Sequence, residues 1–371
     1  MTTCYKTLIA LLALGRIAQG QDPTPGVDLP TDARASIATA GARYVGIPVL
    51  RSTPMLGFGL GAVGAVTGRL DSASSPSVLG AGGAFSQTRS WIFAVGSRVF
   101  FHADARRGAA GVSFFDFRYD FFGVGVDQAN AHQSIDVSQR GDAEMIDMLG
   151  RLMGKLYVGP RYLHRGVVVT LESADSASPV AAVARQDQDY QLSAIGLQAE
   201  YDTRDRSEAP RHGTEAELSV LFARDWLGTT DPHNSYRGWI NHYVALPSNS
   251  VLAFRVTGCS VDAGAPIWEL CLYGINADLR GYAGGRYRDR TMFTTQAELR
   301  VPLAQRFGAN LFGGVGTVTP SISAIAMDDV LPSAGVGLQY LVSTAYHLNV
   351  GGDVAWGKNG AAFYLRLGQA F

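Results

Sequence analysis

Thirteen residues, Asp278–Arg290 (DLRGYAGGRYRDR), hold four arginines, three glycines and two tyrosines. A guanidinium is a planar fork of donors that grips carboxylate or phosphate through paired hydrogen bonds. The stretch therefore offers three chemistries: a solvated charge run, a phosphate-binding patch, or donors for internal ion pairs. Nucleic acid fits poorly and is not expected as a partner. The net charge is -1, Asp278 and Asp289 offset the arginines, and no aromatic-basic motif surrounds them.

Other reactive side chains are sparse. Seven histidines (His102, His132, His164, His212, His233, His242 and His347) are scattered, with no recognisable Ser/His or Asp/His constellation. No catalytic residue and no enzymatic activity are expected. Cys259 and Cys271 match no metal-ligand spacing, and His242 and His347 are too isolated to complete one, so neither metal nor cofactor is expected. In an oxidising compartment the two cysteines would form a disulfide; two buried free thiols are an equal alternative.

The compartment is read from the first twenty residues. Lys6, the apolar run Leu8–Leu14 and Ala18-Gln19-Gly20 have the order of a secretory signal peptide, 1–20, and Cys4 leaves with it. Residues 21–52, opening QDPTPGVDLPTDARAS, are rich in proline and aspartate and read as a periplasmic linker or a segment contacting the lumen. From 53 to 371 the pattern is uniform, and it has to position everything named above.

That pattern is alternation. In FTTQAELRV, Phe293, Thr295, Ala297, Leu299 and Val301 share one face, with Gln296, Glu298 and Arg300 opposite. In HLNVGGDVAW, Leu348, Val350, Val354 and Trp356 oppose Asn349 and Asp353, and in AAFYLRLGQAF, Phe363, Leu365 and Leu367 alternate with Tyr364 and Arg366. Period-2 patterning means strands with one apolar and one polar face. Sixteen such segments are expected: about 55–70, 77–87, 90–101, 106–117, 121–128, 133–152, 156–171, 190–201, 214–226, 234–246, 250–262, 291–303, 307–316, 333–342, 346–356 and 361–371. An even number of antiparallel strands, with only 17% charged residues in the chain, predicts an all-β transmembrane barrel in the bacterial outer membrane. Short connections (86–91, 117–121, 153–156, 246–250) belong to the periplasmic side, and longer ones (172–189, 227–234, 263–290, 317–332) to the outside. The final strand ends on Phe371, a terminal aromatic that marks membrane sorting in such barrels.

Three local patterns together resemble the BamA/TamA-type outer-membrane barrels, also called bacterial surface antigens. EYDTRDRSEAPRHGTEAEL (200–218) is similar to that family's turn between two mid-barrel strands, with Asp202, Arg204, Asp205, Pro210 and Gly213 fixing its backbone. LRGYAGG (279–285) resembles the Arg-Gly-aromatic tip of the long sixth loop, and YLRLGQAF resembles the last strand. The resemblance covers 190–371 well and 53–189 by strand pattern alone. It implies that the loop folds inward and that Arg280, Gly281 and Tyr282 form a lumenal latch. The family's usual partner is an Asp in a Phe-x-Asp motif; here that place reads Phe312-Gly313-Gly314. Parity supplies Asp353 or Glu298 instead, since both lie on the polar face.

Only about thirty residues separate the leader from the first segment, too few for the family's periplasmic POTRA domains, so the resemblance is to a branch lacking them. The resemblance implies a barrel that aids insertion or handling of protein or lipid. Its expected partners are outer-membrane lipids including lipopolysaccharide, and client outer-membrane proteins or a periplasmic partner. A passive or loop-gated pore, lined by Gln296, Arg300, Tyr364 and Arg366, is the alternative.

Overall fold

The computed structural model describes residues 44–131, 133–173, 189–206, 209–275, 278–343 and 348–371. The leader, 1–20, and most of the segment read as a linker lie outside the described residues. Among these residues the chain builds β1 (Tyr44–Thr53), β2 (Gly57–Gly68), β3 (Ser77–Ser86), β4 (Trp91–Phe101) and β5 (Arg106–Phe121). A short helix α1 (Val126–Asn130) precedes β6 (Ile135–Met153), β7 (Leu156–Ser173), β8 (Asp189–Asp202), β9 (Gly213–Ala223), β10 (Asn234–Ala245) and β11 (Val251–Val261). After β11 a long loop carries a two-residue ladder, β12 (Cys271–Leu272) with β13 (Arg288–Asp289). Then follow β14 (Thr291–Ala304), β15 (Phe307–Thr319), β16 (Leu331–Ser343), β17 (Leu348–Gly357) and β18 (Gly360–Leu367).

Sixteen of these strands close into one antiparallel barrel: each pairs with the next, β11 pairs with β14 across the loop, and β18 returns to β1. The pleat explains the alternating sequence. Phe293, Leu311, Val336, Val350, Trp356 and Phe363 stand outward and exposed, whereas Gln296, Glu298, Arg300, Asn310 and Asp353 turn inward and are buried. An apolar outer belt around a polar interior is the arrangement a lipid-spanning sheet requires, because closure leaves no unpaired backbone edge.

The count of sixteen conceals two offsetting departures from the sequence reading. The first strand is β1, inside the segment read as a linker. Pro48 in YVGIPVL argues against a central strand, since a proline cannot donate to a ladder. It is tolerated because β1 is the barrel's closing strand and meets β18 at one register pair, Ser52↔Leu365. Conversely, 121–128 is no strand. FRYDF (117–121) continues β5 instead of turning, and Gly123 and Gly125, at φ 89 and 87, end the extended run before α1.

Two further expectations change. The connection 87–90 lies on the same rim as the long loop, so short turns occupy both rims. The last strand stops at Leu367, where Gly368 (φ 80) turns the chain. Phe371 then packs beside Tyr243, Val251 and Ala253 instead of completing the outer belt.

Candidate functional site

The loop between β11 and β14 packs against inward-facing side chains of the barrel wall, and its tip carries the first cluster. Arg280 is 3% exposed. Its Nη1 donates to Asp353 Oδ2 at 2.7 Å and its Nη2 donates to Glu298. Arg300 Nε donates to Glu298 Oε1 at 2.7 Å, and Arg366 Nε donates to Asp353 Oδ2 at 2.8 Å. Three guanidiniums thus share two carboxylates, each 0% exposed. Burying such charges is tolerable only when partners and geometry are this complete. Residues of β14 (Glu298, Arg300), β17 (Asp353) and β18 (Arg366) all meet at the loop's arginine.

Local chemistry explains why the chain folds this way. The Arg280 guanidinium carbon lies 3.4 Å from the centre of the Phe312 ring, a cation–π contact. Where the resembled family places an aspartate, Gly314 faces Leu279. A Cβ there would fall 2.6 Å from Leu279 Cδ1 and 2.2 Å from Thr295 O. Between the Thr295 carbonyl of β14 and the Leu279 side chain of the tip a carboxylate at 314 has no room, and β14 and β17 supply the acids. Gly281 adopts φ 113, which an L side chain rarely takes, and its N–H donates to Tyr364 Oη at 2.9 Å. Tyr282 Oη donates to Pro332 O at 2.6 Å, and its ring stands edge-on to Tyr273 and Tyr287.

Of the three chemistries the stretch offers, a solvated charge run is the natural expectation for its other arginines, Arg286, Arg288 and Arg290, and the structure corrects this. Only Arg290 is exposed. Arg286 lies over the Phe122 ring and donates to Ala129 O at 3.0 Å, while Arg288 is 1% exposed.

A second cluster, which the sequence reading missed, fastens the stem of the loop to the opposite wall. Glu269, 2% exposed, accepts from Arg165 Nη1 (β7) and Tyr190 Oη (β8), both at 2.6 Å. Arg237 of β10 approaches it at 3.8 Å. Burial opposes its charge, yet Arg165 and Arg237 hold its carboxyl below the usual range. Two signals were available: Glu269 is the one acid in the apolar run PIWEL, and Arg161 and Arg165 share a strand face. The same stem is tied to β11 by a Cys259–Cys271 disulfide.

The 200–218 turn holds together locally. Asp202 accepts from the backbone N–H and the guanidinium of Arg204, and Asp205 Oδ1 accepts from the N–H groups of Arg211 and His212 at 2.8 and 3.2 Å. Gly213 sits at φ 108, and Pro210 is buried. A contact between a histidine and a serine also escaped the sequence reading. His164 Nδ1 lies 2.8 Å from Ser193 Oγ. Ser193 is 2% exposed and covered by Thr229, so this pair closes a wall contact and presents no accessible nucleophile.

A model of the Omp85 superfamily domain matches residues 85–371. The barrel is similar in fold to BamA from Haemophilus ducreyi lacking POTRA domains 1–3, at 15% identity and a TM-score of 0.58, over 87% of this chain and 69% of that one. It is similar to CdiB from Escherichia coli at 12% identity and a TM-score of 0.60, over 87% of this chain and 62% of that one. CdiB from Acinetobacter baumannii gives 9% identity and a TM-score of 0.57, over 88% of this chain and 59% of that one. The chain thus spans less than two thirds of the CdiB chains. No curated protein matches it.

Proposed function

The chain belongs to the Omp85 superfamily and is a barrel of the bacterial outer membrane, and from that premise we propose that it aids insertion or handling of protein or lipid at its β1/β18 seam. The observation that carries this reading is the seam itself. Every other neighbouring pair of barrel strands has an extended ladder, whereas among the described residues one register pair, Ser52↔Leu365, joins β1 to β18. A barrel that parts there exposes two strand edges to the bilayer, and such edges template the pairing of an incoming strand. The Arg280 cluster acts as a latch beside this line. It ties β14, β17 and β18 together, so the wall flanking the opening keeps its shape while β1 swings away. The loop rim faces outward in this reading, with the start of β1 and the end of β18 on the periplasmic side.

The test is a reversible seam lock. The variant Ser52→Cys/Leu365→Cys, oxidised and reconstituted into liposomes, is compared with wild type for folding an unfolded test outer-membrane barrel, read as heat-shifted gel mobility. Wild type is expected to accelerate folding over empty liposomes, and the lock to abolish that acceleration until reductant is added. Equal acceleration by locked and reduced protein, or none by wild type, sinks the proposal. The second reading, a loop-gated pore, rests on the inward Gln296, Arg300, Tyr364 and Arg366. Steady ohmic steps in a planar bilayer, unchanged by deletion within the 262–290 loop, would favour a passive pore instead.

A further inference from the structure

Between the stem of the loop and the wall made by β5, β6, β7 and β8 lies a cavity of about 100 Å³. A single water needs roughly 10–15 Å³ of such space, so the cavity takes about seven to ten non-hydrogen atoms. Its walls divide by chemistry. Phe115, Phe117, Val167 and Trp268 give an apolar side, and Arg165, Arg237 and Arg288 give a cationic one, against which Glu269 is the one acid on the lining.

Arg288 decides what fits. Its side chain is buried to 1% exposure, and no carboxylate lies within ion-pair distance of it among the described residues. Nε and Nη2 both donate to Gly285 O, at 3.3 and 3.1 Å, and the guanidinium stands over the rings of Phe121 and Tyr119. Two ring faces, the Tyr119 phenol and one carbonyl compensate a buried guanidinium less completely than an anion does. Several other buried arginines in this interior are matched to acids: Arg280 to Asp353 and Glu298, Arg161 to Asp147, Arg165 to Glu269.

We propose that this cavity binds a small amphiphilic anion, an apolar or aromatic carboxylate of about six to eight carbons in all, with its carboxylate on Arg288 and its body against Phe115, Phe117 and Trp268. An aromatic acid and a short-chain fatty acid share this chemistry. Bound there, the ligand would wedge the loop stem against the wall, so its presence reports on the loop and not on the seam. The site stands apart from the Arg280 cluster and does not depend on the insertion reading.

The test is calorimetric titration of the full chain, in a non-ionic detergent, with benzoate, hexanoate and the near-isosteric neutral benzamide. Benzoate is expected to saturate and to bind at least tenfold more tightly than benzamide. Arg288→Gln should bring benzoate down to the level of benzamide, while Arg290→Gln, at the exposed neighbour, should change nothing. Tighter binding of hexanoate than benzoate would point to a fatty acid as the source, and the reverse order to an aromatic acid. Equal affinity for benzoate and benzamide, no saturable binding of either acid, or full affinity in Arg288→Gln overturns the proposal. Should Arg288→Gln fail to show the heat-shifted mobility of a folded barrel, Val167→Phe, which fills the cavity from β7, takes its place and has to lose the binding.

Discussion

Two walls of the barrel differ sharply. β5 and β6 pair without interruption from Arg106↔Gly150 to Phe121↔Ile135, and β7 continues the ladder on their far side. Elsewhere in the barrel, among the described residues, one register pair, Ser52↔Leu365, joins β1 and β18. Backbone pairing is what keeps a sheet closed in lipid, so in the proposed reading one wall is a fixed plate and the other the line along which the barrel would part most easily. The long loop reaches toward both. Its stem is fastened through Glu269 to β7 and β8 next to the plate, and its tip through Arg280 to β14, β17 and, by way of Asp353, to β18 at the seam.

The largest effect is expected at the tip. Asp353→Leu removes an acceptor shared by Arg280 and Arg366 and strands buried charge, which costs about 3–5 kcal/mol. The temperature at which heat-shifted mobility is lost should fall accordingly, and an unchanged transition would mean that the acids are not shared as described. Glu269→Leu breaks the other fastening by removing the shared acceptor of Arg165 and Tyr190. Limited trypsin treatment should then cut at Arg286 or Arg290 while the seam strands stay as protected as in wild type. Coupled loss at the seam would erase the contrast between the two walls.

Smaller effects sharpen it. Gly314→Asp restores the acid of the resembled motif, but the new side chain meets both the Thr295 carbonyl and Leu279. Protection of the loop tip should drop rather than rise, and a gain in thermal stability would show that the tip does not press on β15. Asp278, on the loop, accepts from the Gly274 N–H at 3.2 Å, and burial raises its carboxyl to about 6. A raised carboxyl binds its proton more tightly folded than unfolded, so this contribution is fully present below about pH 4. It fades as pH rises toward 6 and is flat above. The loop should become easier to cleave between pH 4 and 6.5, and Asp278→Asn should remove that dependence.

Much of this arrangement was legible in the residues, because the pleat imposes a period that polarity reports directly. Parity alone placed Glu298 and Asp353 on the inner face, where the structure brings both to Arg280. What escaped had physical reasons. β1 carries Pro48, which argues against a strand unless the strand closes a seam, and no local pattern encodes a seam. Arg286 and Arg288 look solvated in a charge run, yet the ladder of β12 with β13 turns them onto Phe122, Phe121 and Tyr119, partners about 165 residues upstream. The Glu269 cluster joins residues up to 104 positions apart, a proximity that only barrel closure creates.

The central claim, that the β1/β18 line is the weak wall and the Arg280 cluster steadies it from one side, is tested most directly by hydrogen exchange of backbone amides. In wild type, amides of 361–367 should exchange well before those of β5 and β6. In Asp353→Leu the seam should exchange faster still while β5 and β6 are unchanged. Equal protection on both walls, or a seam indifferent to the loss of Asp353, would contradict the account.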